Sequence, residues 1–346
     1  MFTLVKTLTE LTGPTGGESP VQEWLAQRWR NAGMEVDTTP IGNVLARLGG
    51  HGPKILIGAH ADEISFRVKS IDAAGFLWLT AGRGLGEQRP PEPVPLGLPA
   101  AIVTSAGIVE GTFVSATGHV LTRQQRAHYE RHGLDWMDFY VDLGVRSRAG
   151  VEAMGVHPGL PVVNVVPTRR NGRNIVGKAM DDRAALAVMT ELAGRVERGR
   201  LQYDVWFGST VMEEIGLIGA RSAIRGFDLG LVLEVGLAGD VPLVDERQMP
   251  VGLGRGPVVV HKDMAVAYSA GLTAGLARCA STAGISLQHA VFQNFSSDGR
   301  EWLQEGIPTA MVAFPCRYTH SPYETVDETD LEACVDLLSA FLTAPR

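Results

Sequence analysis

The sequence predicts an α/β fold, a mixed sheet flanked by helices, interrupted by a small inserted β-rich domain. Three observations predict it. Apolar strand-like runs alternate with helical patterns at both ends of the chain. The stretch between about 67 and 165 instead reads as short strands punctuated by glycine. A chain of 346 residues is also more than one core usually holds. The expected division is therefore a main α/β domain of residues 1–66 and 166–346, and a PDZ-like or barrel insertion of residues 67–165.

The elements follow in order. Phe2, Leu4, Val5, Leu8 and Leu11 recur at helical spacing and predict a helix over 2–11. The glycines and proline of Gly13-Pro14-Thr15-Gly16-Gly17 end it. A second helix is expected over 19–33, with Ser19 as cap and Pro20 at its first position, where a missing N–H costs nothing. Strands are expected in the run ending 43–48 and at 54–59. Residues 81–99, rich in Gly and Pro, read as a loop. Inside the insertion, strands are expected within 100–122, 137–145 and 159–166. The α/β texture returns from about 174, with a helix at 184–198, a strand at 203–210, a helix at 218–225, and strands at 229–234 and 309–314.

Composition narrows the function. Hydrophobic residues make up 45% and charged residues 20%, so a packed globular chain is expected rather than disorder. The net charge is −7 with no dense Lys/Arg cluster, which argues against a nucleic-acid partner. Cys279, Cys316 and Cys334 are an odd, sparse set without CxxC spacing, as in a reducing compartment. The N-terminus lacks the basic start and cleavage site of a signal peptide, and no run reaches the ~18 apolar residues of a membrane span. A cytoplasmic protein without a membrane partner is expected.

Five short motifs carry ionisable groups. His60-Ala61-Asp62-Glu63 follows the run 54–59, and in extended chain positions 60 and 62 share a face. Such a His is more often an ordinary surface residue, but His60 could ligate a metal with Asp62 orienting it from behind. Asp181 and Asp182 in Gly177-Lys178-Ala179-Met180-Asp181-Asp182-Arg183 suit a helix start, where acids complement the dipole. One of them could instead bridge two ions. Glu213 and Glu214 follow an apolar run, so one could ligate while its neighbour serves as general base. Glu234 closes another apolar run, where an unpaired carboxylate is costly. His320 follows the run 309–314. All these motifs except the Asp pair lie just past the ends of apolar strands, the edge at which open α/β sheets bind ligands.

In order along the chain, HADEI, GKAMDDR, EEIGLIGA and RYTHSP resemble the metal-site motifs of the glutamyl- and deblocking-aminopeptidase family that forms TET-type tetrahedral dodecamers. Gly42-Asn43, Asp142-Leu143-Gly144, Gly155-Val156-His157-Pro158-Gly159 and Ser297-Asp298 extend the resemblance over nearly the whole chain. It implies a zinc-exopeptidase-like fold and two divalent ions per subunit, zinc or cobalt, with manganese as a further candidate. It implies that His60 and Glu234 bind one ion, Glu214 and His320 the other, and that Asp181 bridges them. Glu213 is then the general base and Asp62 orients His60. The family more often carries Asp where this chain has Glu234, a longer side chain that still offers an oxygen. Peptide substrates with a free N-terminus are implied, with assembly into a homo-oligomer, a dodecamer built through dimers, supported by the insertion.

Two rivals stand beside this reading. One is a related two-metal amidohydrolase, deacylase-like or carboxypeptidase-like. The other is an inactive oligomeric scaffold. A glycosidase is disfavoured, because its carboxylate pair works without metal and these carboxylates accompany two histidines.

Overall fold

The two N-terminal amphipathic patterns form helices α1 (Phe2–Glu10), which buries Val5 and Leu8, and α2 (Ser19–Asn31), which buries Val21, Leu25 and Trp29. Ser19 is the first helical residue rather than the cap; the N-cap is Glu18, whose side chain does not cap its own helix. Strands β1 (Glu35–Thr38), β2 (Val44–Gly49) and β3 (Lys54–His60) follow. β3 is buried from Ile55 to His60, as a central strand covered on both faces requires.

This computed structural model describes residues 1–82 and 93–345. The middle of the expected 81–99 loop, 83–92, lies outside the described residues. The chain divides into two compact units. One comprises Met1–Glu63, Pro167–Thr319 and Tyr323–Arg346, and the other Ile64–Val166 with His320–Pro322.

The second unit is a closed barrel of β4 (Phe66–Ile71), β5 (Leu77–Ala81), β6 (Pro99–Thr104), β7 (Gly107–Ser115), β8 (Phe139–Asp142) and β9 (Pro161–Asn164), in the order β4-β5-β8-β7-β6-β9. Every pairing is antiparallel. Phe66 meets Phe113 and Phe139 at ring-centroid distances of 5.3 and 5.7 Å in the middle of its core. The expected strand run to 122 stops at Ser115, and two helices not read from the sequence appear, α3 (Arg123–His132) and α4 (Arg148–Glu152). α3 buries no residue, so it carries no apolar stripe to read; a reciprocal Thr122–Gln125 capping box starts it.

The first unit resumes with β10 (Arg169–Asn171), β11 (Asn174–Gly177), α5 (Met180–Arg195), β12 (Asp204–Thr210), α6 (Ala220–Ala223) and β13 (Leu229–Leu237). It continues through β14 (Val258–Lys262), α7 (Ala270–Ala283), β15 (Gln288–Val291), α8 (Gly299–Gln304), β16 (Thr309–Arg317), β17 (Glu324–Asp327) and α9 (Glu328–Thr343). Among the described residues, eleven strands form one mixed sheet, ordered β1-β2-β12-β3-β13-β16-β17-β11-β10, with β14 paired to β16 and β15 to β14. Its centre is parallel: β12 and β13 both flank β3, and β16 flanks β13. β3 thus has later strands on both sides, the strand-order reversal that opens a crevice at the C-terminal edge.

α5 is buried nearly all round, as a central helix must be, and packs in the main hydrophobic core. On another face, Trp302 of α8 lies against glycines of the sheet: a Cβ at Gly58 or Gly230 would approach its ring to 2.6 Å. The helix expected at 218–225 shrinks to α6, because the chain before it folds back. Gly219 N–H donates to the Val211 carbonyl (2.9 Å) and Ile218 N–H to the Met212 carbonyl (3.1 Å). The strand expected at 229–234 extends to Leu237, since Val235–Leu237 continue in register with Phe314–Cys316. Glu234 therefore lies within β13, not past its end, and His60 is the last residue of β3.

Candidate metal centre

His60 ends β3 opposite Thr210 of β12 and is 2% exposed. Its Nδ1 lies 3.1 Å from the Asp62 carbonyl oxygen and 3.4 Å from the Asp62 carboxylate. Two acceptors there favour a ring proton on Nδ1, which leaves Nε2 facing the cluster. Nε2 meets Asp181 Oδ1 at 2.9 Å and Glu213 Oε2 at 4.0 Å. Asp62 thus contacts His60 through its main chain as well as its carboxylate. That carboxylate also accepts the Glu213 and Glu214 N–H groups (2.9 and 3.2 Å) and the Thr15 hydroxyl (2.9 Å). One fully buried acid thus fixes both the histidine and the paired glutamates.

Asp181 and Asp182 precede the regular part of α5, with non-helical backbone angles and a cis peptide between them. Asp181 points its carboxylate at His60 Nε2 while its N–H donates to Glu324 (3.1 Å). Asp182 faces the other way and accepts the His60 N–H at 3.4 Å. Glu234, 3% exposed, bonds its own neighbour's amide, Val235 N–H, at 2.9 Å. Its extra methylene does not carry it out of reach: His60, Asp181 and Glu234 offer ligand atoms all within 4.8 Å of one another. His60, Glu213 and Glu214 do the same. β16 ends at Arg317, at the same C-terminal edge, and His320 follows three residues later.

Electrostatics mark the cluster. Burial pushes the Glu213 carboxyl well above the ordinary range, and Glu214, Glu234 and Asp298 push the same way. Burial does the same to Glu234, helped by Asp182 and Asp181, and to Asp182, helped by Asp181. Burial alone would lower the His60 pKa, but hydrogen bonds to Asp181 and Asp62 outweigh it and raise it. Several carboxyls around one imidazole, out of water, must either take up protons or be balanced by a cation. An imidazole nitrogen with carboxylate oxygens is the donor set of a borderline-to-hard divalent ion, so these residues fit one.

Backbone strain concentrates here too. Ala179 (φ 53°), Met212 (φ 55°) and His320 (φ 63°) are non-glycine residues in the left-handed region. Such conformations cost about 1–3 kcal/mol each and cluster at functional sites. These three lie at or beside Asp181, Glu213 and His320.

Comparison with known proteins decides the family. The sequence profile described as M42 glutamyl aminopeptidase matches residues 42–337. The chain belongs to the M42 glutamyl aminopeptidase family. This M42 chain is 28% identical to the lysyl aminopeptidase of Pyrococcus furiosus, over 98% of its own length and 96% of the relative's. It superposes on the TET aminopeptidase of a marine-sediment Thaumarchaeota archaeon with a TM-score of 0.90 and 30% identity, covering 99% and 95% of the two chains. It matches the TET1 peptidase of Pyrococcus horikoshii, which assembles into a tetrahedron or a large octahedral shell, with a TM-score of 0.86 and 25% identity, covering 99% of each chain. The M42 chain is a metal-dependent aminopeptidase, a hydrolase of peptide bonds.

The sequence motifs missed part of this centre. Asp298 is buried beside Thr210, whose hydroxyl it accepts, and burial lifts its pKa to about 6. The Ser297-Asp298 match was its only signal. Asp263, Tyr268 and Ser297 form a buried hydrogen-bonded chain, at 2.7 and 2.8 Å, that no sequence spacing announces. Lys178 pairs with Glu63 under the same motifs that supply His60 and Asp181.

Proposed function

We propose that this M42 chain removes residues from the free N-terminus of peptides with two divalent ions held by the side chains above. In this reading His60 and Glu234 would hold one ion, Glu214 and His320 would hold the other, and Asp181 would be shared between them. The observation that carries it is the convergence of ligand atoms of His60, Asp181 and Glu234 within 4.8 Å, with Glu213 Oε2 4.0 Å from His60 Nε2. When bound, the ions supply Lewis acidity that eases deprotonation of the attacking water and polarises the scissile carbonyl. Glu213, held by Asp62 through its backbone N–H, accepts the proton of that water and hands it to the departing amine. Asp62 keeps His60 Nδ1 occupied, so that Nε2 faces the ion.

The ions are zinc or cobalt, with manganese accommodated by the same donors. The barrel unit supports assembly, and the chain forms a dodecamer through dimers, a reading supported by the tetrahedral assembly of the Pyrococcus horikoshii relative. No helix among the described residues is long and apolar enough to cross a membrane. The three unpaired cysteines support a cytoplasmic location.

The test is a panel of aminoacyl reporter substrates, assayed on chelated protein with zinc, cobalt or manganese added back singly. Restored hydrolysis of free but not acetylated N-termini is expected. Preferential hydrolysis of the acetylated series would replace the reading with a deacylase.

A further inference from the structure

Glu213 can act only if the turn that carries it is held still, and two acids do the holding. The N–H groups of three consecutive residues each donate to a carboxylate: Met212 to Glu18 (3.1 Å), Glu213 to Asp62 (2.9 Å) and Glu214 to Asp62 (3.2 Å). The same acids, with their neighbour Glu63, fasten the Gly13–Gly17 loop. Gly13 N–H donates to Glu63 (3.0 Å), the Thr15 hydroxyl to Asp62 (2.9 Å) and Gly16 N–H to Glu18 (2.6 Å). Asp62 and Glu63 belong to the metal-site motif, but Glu18 belongs to none.

Three features separate Glu18 from an ordinary helix-start acid. It occupies the N-cap of α2, yet its side chain accepts no amide of its own helix. It is only 6% exposed, so its carboxylate is committed to protein partners rather than water. Its oxygen Oε1 takes both the Gly16 and the Met212 N–H, bridging two segments nearly 200 residues apart in sequence. Met212 is in the left-handed region (φ 55°), where a methionine stays only if its surroundings hold it.

We infer that Glu18 is a positioning residue for the proposed general base: it bridges the Gly13–Gly17 loop to Met212 and so fixes the backbone that aims Glu213. This rests on the assignment of Glu213 as the base. Without the Glu18 oxygen, the Met212 and Gly16 N–H groups lose their acceptor. Glu18, Gly16 and Met212 line a groove of about 570 Å³, so water can enter and take its place. The fold then survives while the turn loosens.

The experiment compares Glu18→Ala, Glu18→Gln, Glu18→Asp and Glu213→Gln in the metal-loaded enzyme, using the aminoacyl p-nitroanilide that the unsubstituted protein cleaves fastest. For Glu18→Ala, kcat should fall on the order of 10- to 100-fold, the effect of a small misplacement of a reacting group. KM and the metal-to-protein ratio should stay near normal, since the ligands and ground-state contacts are untouched. Amide hydrogen exchange of the 209–219 segment, measured on chelated protein, should be faster than in the unsubstituted chain. Glu18→Gln keeps the acceptor oxygen at the same reach and should retain most of kcat; Glu18→Asp keeps the charge but not the reach and should not. That comparison stands even if Glu18→Ala fails to fold.

The inference is overturned if Glu18→Ala keeps full kcat while Glu213→Gln is inactive. It is equally overturned if Glu18→Gln falls as far as Glu18→Asp, or if kcat falls only together with metal content. An active Glu213→Gln would instead remove the base assignment beneath it.

Discussion

The two units treat charge in opposite ways. Among the described residues of the Ile64–Val166 barrel, the buried polar side chains are Ser65 and Asn164, and none is ionisable. Its core is aromatic and aliphatic, built on Phe66, Phe113 and Phe139. The α/β unit buries His60, Asp62, Glu63, Lys178, Asp181, Asp182, Arg183 and Glu234, most of them at one sheet edge. Each of these charges costs free energy to dehydrate, and pairs such as Lys178–Glu63 recover only part of it. A fold retains such a set where chemistry needs it. The contrast therefore concentrates the buried ionisable groups in the α/β unit and apolar packing in the barrel before any relative is considered.

Substitutions can break or sharpen that contrast. The largest effect on turnover is expected from Glu213→Gln, which removes the proton acceptor and keeps the shape. kcat should drop roughly 100- to 10,000-fold with the metal-to-protein ratio unchanged, as read by elemental analysis. Near-normal turnover would remove Glu213 from the mechanism. His320→Ala should lower the bound metal while leaving the remaining ligands in place, and an unaltered ratio would strike it from the ligand set.

In the barrel, Phe113→Ala should cost about 3–5 kcal/mol of that unit's stability in denaturant titration, because it empties the middle of an apolar core. Activity per folded chain should not change. If kcat falls under conditions where the barrel stays folded, the division between units is wrong. The smallest effect is expected from Thr122→Ala, which removes the capping box of α3 and should cost roughly 1 kcal/mol, seen as faster amide exchange in that helix alone.

Much of the candidate site was legible in the sequence because its residues occur in short, dense motifs beside apolar runs. His60 and Asp62 were readable only as a candidate ligand and candidate support from a two-residue spacing in extended chain, and the ordered motifs, not the spacing, singled them out. Glu213 and Glu214 were readable because two acids after a buried strand need a reason to be there. Glu18 was not: an acid at a helix start is ordinary, and only its rotation away from its own helix, toward Met212, reveals another role. Helix α3 escaped for the opposite reason, since a helix that buries nothing has no stripe to detect. Glu234 was read as closing its strand, but the pairing of Val235–Leu237 with β16 extends the strand beyond it.

The sequence by itself determined the fold class, the family and the identity of the ionisable residues, because periodicity and ordered motifs are local properties. Tertiary structure alone decided which acid faces which partner. Asp181 turns to His60 Nε2 while its neighbour Asp182 turns to the His60 backbone. The physical reason is that hydrogen-bond and charge partners here are separated by 120 residues or more in sequence. Their geometry is set by sheet register and by the burial that leaves each carboxylate no water to choose instead.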